Sequence, residues 1–244
     1  MTTNQNDVYR QKLEAKIHKY YDETPTAKKC IQYLMDKYPF IMPQIDHMAY
    51  RFLNEQEWKQ YEKEMDSKYE CRDRLDFPLK STDKYYKHAH WYSHDNYPRT
   101  FASYIDILEE DKLTIKEISE SNTTDNVKYD KLKQIDQYMA WTSIWKEDIN
   151  HLAFELSDYP DDFEAIINNM VKDLGLEMNR YGKNGNILMV SQDGLLRQCS
   201  TKSDLVDGIP KAYIEFVCRS KDENGIKRDG FDTFSANNIF ESTD

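Results

Sequence analysis

Ile45-Asp46-His47-Met48-Ala49-Tyr50-Arg51-Phe52 and Ile149-Asn150-His151-Leu152-Ala153-Phe154-Glu155-Leu156 stand 104 positions apart and align without a gap, with three identities and four similar pairs. Both stretches are rich in the β-branched and aromatic residues of strands. A second echo follows in the same order, where Tyr104-Ile105-Asp106-Ile107 lies over Tyr213-Ile214-Glu215-Phe216 at an offset of 109. Either echo alone is weak, because strands draw on a small alphabet; together they read as a duplicated supersecondary unit.

Working outward, each copy is followed by the same order of elements. After the strand Ile45–Leu53 come a helix face of Trp58, Tyr61 and Met65 and three alternating stretches, Tyr69–Phe77, Tyr85–Ser93 and Phe101–Leu108. After Ile149–Leu156 come a helix face of Phe163, Ile166, Ile167, Met170, Val171 and Leu174 that stops at Gly175, then short strands near 187–190, 195–200 and 212–219. Each half is thus a βαβββ module. Two helices precede them. The first carries Tyr9, Leu13, Ile17 and Tyr20 at helical spacing, and the second starts at Thr24-Pro25 and should end before Pro39. A polar helical stretch from Asp111 to Trp145, broken at Ser121–Thr124, joins the halves. The predicted architecture is α+β in one compact domain. It has N-terminal helices over 1–40, a first module over 41–110, a helical connector over 111–147, and a second module with a C-terminal segment over 148–244.

Strand geometry turns the repeat into a candidate site. Side chains at i, i+2 and i+4 share one face, so His47 lines up with Ala49 and Arg51, and His151 with Ala153 and Glu155. Small alanines beside each histidine leave room for a bound group. If the modules pair about a pseudo-twofold axis, the two imidazoles approach one another, and Glu215 on a terminal strand can bring a carboxylate to the same point. Two neutral imidazoles and one carboxylate form the facial triad of non-haem Fe(II) oxygenases, with three positions left for substrate and dioxygen. Arg51, two strand positions beyond a ligand-bearing face, can grip an anionic substrate through paired hydrogen bonds. Single histidines on strands are more often structural than ligating, and the matched placement of both is what favours a metal. A rival cluster, His88, His90 and His94, puts two imidazoles on one strand face but lacks an acid or cysteine pattern to complete a site.

Composition narrows the function classes. Lys plus Arg is 33 against 44 Asp plus Glu, a net charge of −11 with no basic block, so nonspecific nucleic-acid binding is not expected. The apolar runs are too short for a membrane span, and the start reads without the apolar core of a signal peptide. The four cysteines, at 30, 71, 199 and 218, form no CxxC pair, which fits a reducing, cytoplasmic setting. With only 7 Gly, neither GxGxxG nor GxxxxGK occurs, and GxSxG and HExxH are also absent. The 18 Tyr, 10 Phe and 4 Trp supply a core despite a modest apolar fraction.

Several segments together resemble one known family. Asp46–Arg51, Ala140-Trp141 leading to Ile149-Asn150-His151, Leu195-Leu196-Arg197-Gln198-Cys199-Ser200-Thr201, Ile209–Phe216 with Arg219, and the closing Ile239-Phe240-Glu241-Ser242-Thr243 look like the 2-oxoadipate dioxygenase/decarboxylase family of the vicinal oxygen chelate superfamily. The resemblance implies that the two βαβββ modules form one cupped sheet around a mononuclear Fe(II), with His47, His151 and Glu215 as ligands. Other divalent metals, such as Mn, Co, Ni or Zn, could replace iron in a purified sample. It further implies Arg51 as a substrate-carboxylate contact and Gln198 as a residue facing the substrate, with Tyr213 and Arg219 in matching motifs. The implied partners are a small 2-oxo acid and dioxygen, and the implied products are carbon dioxide and a shortened 2-hydroxy acid, 2-hydroxyglutarate in the case of 2-oxoadipate. Two other readings stay open from sequence. One is a metal-dependent isomerase or lyase of the same superfamily, with Asp106 as a fourth ligand. The other is a binding or regulatory module that kept the fold without turnover.

Overall fold

A computed structural model of the chain describes residues 3–38, 44–79, 82–93, 98–146, 149–181 and 184–228. The chain runs through helices α1 (Thr3–Glu23) and α2 (Pro25–Lys37), strand β1 (Gln44–Phe52), helix α3 (Glu55–Asp66) and strands β2 (Glu70–Leu79), β3 (Thr82–Ser93) and β4 (Arg99–Asp106). Helices α4 (Glu109–Glu120), α5 (Asp125–Leu132) and α6 (Gln137–Trp145) follow, then strand β5 (Ile149–Glu155) and helix α7 (Phe163–Leu174). Strands β6 (Met189–Val190), β7 (Leu196–Ser200), β8 (Asp204–Val206) and β9 (Ile209–Arg219) complete the described chain. Pro39, His94 and the closing 239–243 segment, all used in the sequence reading, lie outside the described residues.

Local chemistry explains the helix boundaries. The Asn54 side chain accepts from the amides of Gln56 and Glu57 and opens α3, and Asp136 accepts from Met139 and opens α6. Gly175, at φ 63, closes α7 in the left-handed conformation that glycine reaches without steric cost. No helix among the described residues is long and apolar enough to cross a membrane.

The nine strands of the described residues lie in one curled mixed sheet, ordered β2-β3-β4-β1-β5-β9-β7-β6, with β8 paired to β9. The two βαβββ modules meet at the antiparallel β1–β5 pair, and each first strand lies parallel to its module's last, β1 beside β4 and β5 beside β9. This is the duplicated α+β architecture read from the repeat, with one addition. The hairpin β8–β9 turns through Asp207 (φ 52) and Gly208 (φ 83), with Val206 opposite Ile209. Asp-Gly between apolar residues is a strong two-residue hairpin signal that the sequence reading passed over.

The β1 and β5 strands are buried on both faces. Met48, Tyr50 and Phe52, with Leu152, Phe154, Ile214 and Phe216, point into the main core, which α2, α3 and α7 help to cover with Leu34, Trp58, Ile167 and Met170. Truncating Phe154 or Phe216 there to Ala costs about 3–5 kcal/mol. A second cluster, including Ile105, Ile107, Leu132, Tyr138 and Met139, packs the connector helices against the β3–β4 end of the sheet. The opposite face of β1 and β5 therefore carries the remaining residues of the alternation: His47, Ala49 and Arg51, with His151 and Ala153.

Candidate metal centre

The β1–β5 register sets each histidine against the other module's alanine: His47 pairs with Ala153 and Ala49 with His151. The small partners let the imidazoles meet, and their Nε2 atoms stand 3.0 Å apart. Glu215 enters from β9, where it pairs with Ala153, and its Oε2 is 3.7 Å from His151 Nε2. All three side chains are buried, at 2%, 6% and 6% exposure, and each offers a ligand atom within 4.8 Å of the others.

The residue before each histidine fixes its tautomer. Asp46 Oδ2 takes the Nδ1 proton of His47 at 2.8 Å, and Asn150 Oδ1 takes that of His151 at 2.9 Å. A register shift between Ile45 and His47 carries Asp46 past the regular alternation, so that it can reach the ring. Arg219 grips Asp46 through Nε (2.8 Å) and Nη2 (3.1 Å), and Arg99 Nη1 adds a bond at 2.9 Å. Burial pushes the Asp46 carboxyl up, but Arg219 and His47 outweigh it and hold it well below the usual range. Trp91 packs edge-on against His47 with centroids 5.0 Å apart, and Tyr213 stacks on His151 at 4.5 Å.

These contacts give the site the chemistry a cation receptor needs. Burial lowers the basicity of His47 against the opposing pull of Asp46, and burial, His47, Arg51 and Lys87 lower that of His151 further, so both rings are neutral near pH 7. With both Nδ1 protons committed, each Nε2 carries a lone pair, and the two lone pairs face one another. Two imidazoles bound to one metal at about 2.1 Å and at right angles stand about 3 Å apart, which is the separation found. Glu215 completes the case. Burial and Asp46 push its carboxyl up to about 8 against Arg219, and its Oε1 is buried without a hydrogen-bond partner. Each feature is what a divalent cation would relieve, and two neutral imidazoles with one carboxylate suit Fe(II) and its neighbours.

The remaining candidate residues divide. Arg51 lies half-buried at one end of the cup, with its guanidinium 4.5 Å from the Tyr138 ring centre and 4.9 Å from that of Trp141. Gln198 is opposite Val217, two positions from Glu215, and its buried Oε1 has no hydrogen-bond partner. Arg219 grips Asp46, lies 5.3 Å from the Trp91 ring centre and draws the Glu215 carboxyl down by its charge. Asp106 is not in the site, and the four-ligand expectation is corrected. Asp106 is exposed at the end of β4, with its Oδ2 3.9 Å from His88. The 109-residue echo had set Asp106 over Glu215, but register sets Phe101 there, since Ala49 pairs with Phe101 as Ala153 pairs with Glu215. Asp106 is five positions further along, an odd number, and so faces the other side of the sheet. Of the rival histidines, His88 and His90 lie on that outer side too. His88 bonds Asp76 and stacks on Tyr104, and His90 sits against Trp58 near Glu62 and Arg74.

Three contributors were missed in the sequence. Asp46 and Asn150 read as ordinary strand residues, yet each directly precedes a repeated histidine and accepts the proton of its ring nitrogen, which orients the ring. Lys87, inside a segment noted for its histidines, is buried on the cup side of β3, because it pairs with Ile105, which shares a face with Ser103 and Phe101. Burial, with Arg51 adding and Asp136 opposing, pushes its ammonium down to about 7.

Comparison with known proteins bears on the fold. The family model for 2-oxoadipate dioxygenase/decarboxylase matches residues 110–208. A curated protein of Oryza sativa subsp. japonica named 2-oxoadipate dioxygenase/decarboxylase, chloroplastic/amyloplastic, is 34% identical over 134 residues, covering 46% of this chain and only 36% of that relative's length. Among solved structures, hydroxyglutarate synthase from Oryza sativa in complex with 2-oxoadipate superposes with a TM-score of 0.74 at 24% identity, covering 100% of this chain and 94% of the other. A putative glyoxalase superfamily protein from Ralstonia eutropha JMP134 superposes with a TM-score of 0.64 at 16% identity over 90% of this chain and 84% of its own. Identities this low establish the fold. The chain has the vicinal oxygen chelate fold, and over residues 110–208 it is similar to the 2-oxoadipate dioxygenase/decarboxylases.

Proposed function

We propose that the chain is a metal-dependent dioxygenase/decarboxylase that converts a small 2-oxo acid of the 2-oxoadipate kind and dioxygen into carbon dioxide and a 2-hydroxy acid one carbon shorter. The observation that carries the reading is the three-ligand centre itself, with Phe101 where a duplicated fourth ligand would stand. Three protein ligands would leave a metal room for both a bidentate 2-oxo acid and dioxygen, and a fourth would not. The kinship with proteins named for this activity supports the same choice.

His47, His151 and Glu215 would hold the metal, and Fe(II) is the ion we assign to them. When bound, it supplies Lewis acidity toward the 2-oxo acid and redox capacity toward dioxygen. The chain's own groups set up the encounter. Arg51, braced by Tyr138 and Trp141, offers a planar fork to a substrate carboxylate beside the metal. Trp141 and Trp145 donate to the carbonyls of Lys211 and Pro210, which ties α6 to the start of β9 and holds the Trp141 ring against Arg51. Gln198 presents a hydrogen-bonding amide from the opposite wall. Asp46 and Asn150 keep both imidazoles in the ligating tautomer, so no proton has to move before the metal is held.

The test is product analysis. Fe(II)-loaded protein given 2-oxoadipate in air should release carbon dioxide and form 2-hydroxyglutarate, and under argon it should do neither. Isomerised substrate, or product formed equally without oxygen, would contradict the proposal.

A further inference from the structure

Each imidazole of the centre is held twice, at Nδ1 by the residue before it and at the ring by one aromatic side chain. For His47 that aromatic is Trp91, on a strand flanked on both sides by β2 and β4. For His151 it is Tyr213, stacked at 4.5 Å with 20° between the ring planes. Tyr213 is seated at the start of a ladder rather than inside one. Among the described residues the β5–β9 register begins at the His151–Tyr213 pair, so the stretch of β9 before it has no β5 partner. Side chains from outside the sheet take its carbonyls instead: Trp145 takes that of Pro210 and Trp141 that of Lys211. The carbonyl of Tyr213 itself is taken by Tyr20.

Tyr20 belongs to neither βαβββ module. It stands on the last turn of α1, buried in the main core beneath the sheet, where its hydroxyl donates to Tyr213 and feels the backbone amide of Leu152 on β5. One phenol thus bears on both strands that carry His151 and Glu215, next in sequence to His151 and two positions before Glu215. Neighbouring contacts hold the N-terminal helices at that place. Glu23 meets the Lys211 ammonium at 3.4 Å, and the amide and hydroxyl of Thr26 bond Asp204 on β8 at 3.0 and 2.6 Å.

We propose that Tyr20 is a positioning residue for the metal centre: it fixes the backbone of Tyr213, and the stacked Tyr213 ring in turn sets the plane of the His151 imidazole. This rests on His47, His151 and Glu215 being metal ligands, and not on which substrate the metal serves. Losing the hydroxyl leaves a buried carbonyl without its donor, and the strand can relieve that only by moving the residue that stacks on the ligand.

The experiment reads metal binding, with Co(II) as a probe whose visible absorption bands report the ligand arrangement. The metal-free full chain is titrated with Co(II) without substrate, and its unfolding midpoint is recorded alongside. Tyr20→Phe keeps the ring and removes the hydroxyl. Tyr33→Phe is the control, because it removes a hydroxyl that α2 gives to Asp173 at 2.7 Å, away from the centre. Both should lower the unfolding midpoint. Tyr20→Phe alone should weaken Co(II) by about threefold to tenfold and shift its bands, with Tyr33→Phe within about twofold of the wild type and its bands unmoved. Tyr213→Leu, which removes the stack, should weaken Co(II) by about tenfold, and adding Tyr20→Phe to it should cost less than about twofold more, since the two act along one path. Co(II) affinity and bands in Tyr20→Phe that match those of Tyr33→Phe, or losses that multiply in the double variant, would overturn the assignment. A wild type that takes up no Co(II) would contradict the metal centre and this role with it. One that shows the expected Co(II) pattern but consumes no oxygen with Fe(II) would contradict the proposed reaction and leave Tyr20 standing.

Discussion

Phe101 and Glu215 occupy the same place in the two halves of the sheet, each directly opposite the alanine two residues beyond its module's histidine. The pseudo-symmetry that pairs His47 with His151 is thus broken at this position, and under the proposed function the break leaves the metal three protein ligands instead of four.

Restoring the symmetry should change the chemistry. In Phe101→Glu a second carboxylate enters the centre as a fourth ligand, so metal should be retained more tightly while oxygen consumption falls by about a hundredfold or more, about 2.7 kcal/mol of barrier. Chelator competition and an oxygen electrode check the two effects; faster turnover in this variant would count against the three-ligand reading.

The buried Asp46 carries two duties. Asp46→Asn keeps the shape but removes the charge that Arg219 and Arg99 hold and weakens the acceptor for His47. Metal affinity should fall by about tenfold to a hundredfold. Folding stability should fall by about 3 kcal/mol, because Arg219 is left as a buried charge without its counter-ion. Denaturant titration of the metal-free protein separates the two.

Lys87 should cost stability, and the cost should depend on pH. Its ammonium is depressed to about 7 in the fold against 10.5 when unfolded, so between these values the unfolded chain binds the extra proton. Stability therefore rises with pH through that window, and below it the full penalty of a buried charge remains. Lys87→Met should raise the midpoint of thermal unfolding, by an amount worth about 1–3 kcal/mol near pH 6 and much less near pH 9.5. A gap that does not shrink with pH would place Lys87 in a more hydrated setting.

The two histidine clusters should respond differently. His151→Ala is expected to abolish metal retention and, with it, the thermal stabilisation by metal, about 4 kcal/mol at a thousandfold excess over Kd. His90→Ala, on the outer face beside Trp58, should leave both intact. Metal analysis after gel filtration, with melts in the presence and absence of chelator, distinguishes them.

The histidine pair was legible in the sequence because its repeat is local: eight aligned residues of one strand carry their own face alternation, and β1 meets β5 in the expected sense. The Glu215 strand was legible as an element, but its partner in the first half was not. The β1–β4 pairing spans β2, β3 and their loops, and nothing in Tyr104–Ile107 reveals where along β1 that strand will stop. A shift of an odd number of residues moves every side chain to the other face. Asp46 was hidden for a related reason, since a bulge decides which way it points. Lys87 was obscured by its histidine neighbours, and its burial depends on the connector helices that bring Tyr138 over β3.

The most direct measurement is oxygen consumption by the protein after anaerobic loading with Fe(II), started by adding 2-oxoadipate and followed together with carbon dioxide release. The expected result is uptake of one dioxygen for each carbon dioxide released, absent in His151→Ala. Full iron occupancy without oxygen uptake on any 2-oxo acid would contradict it.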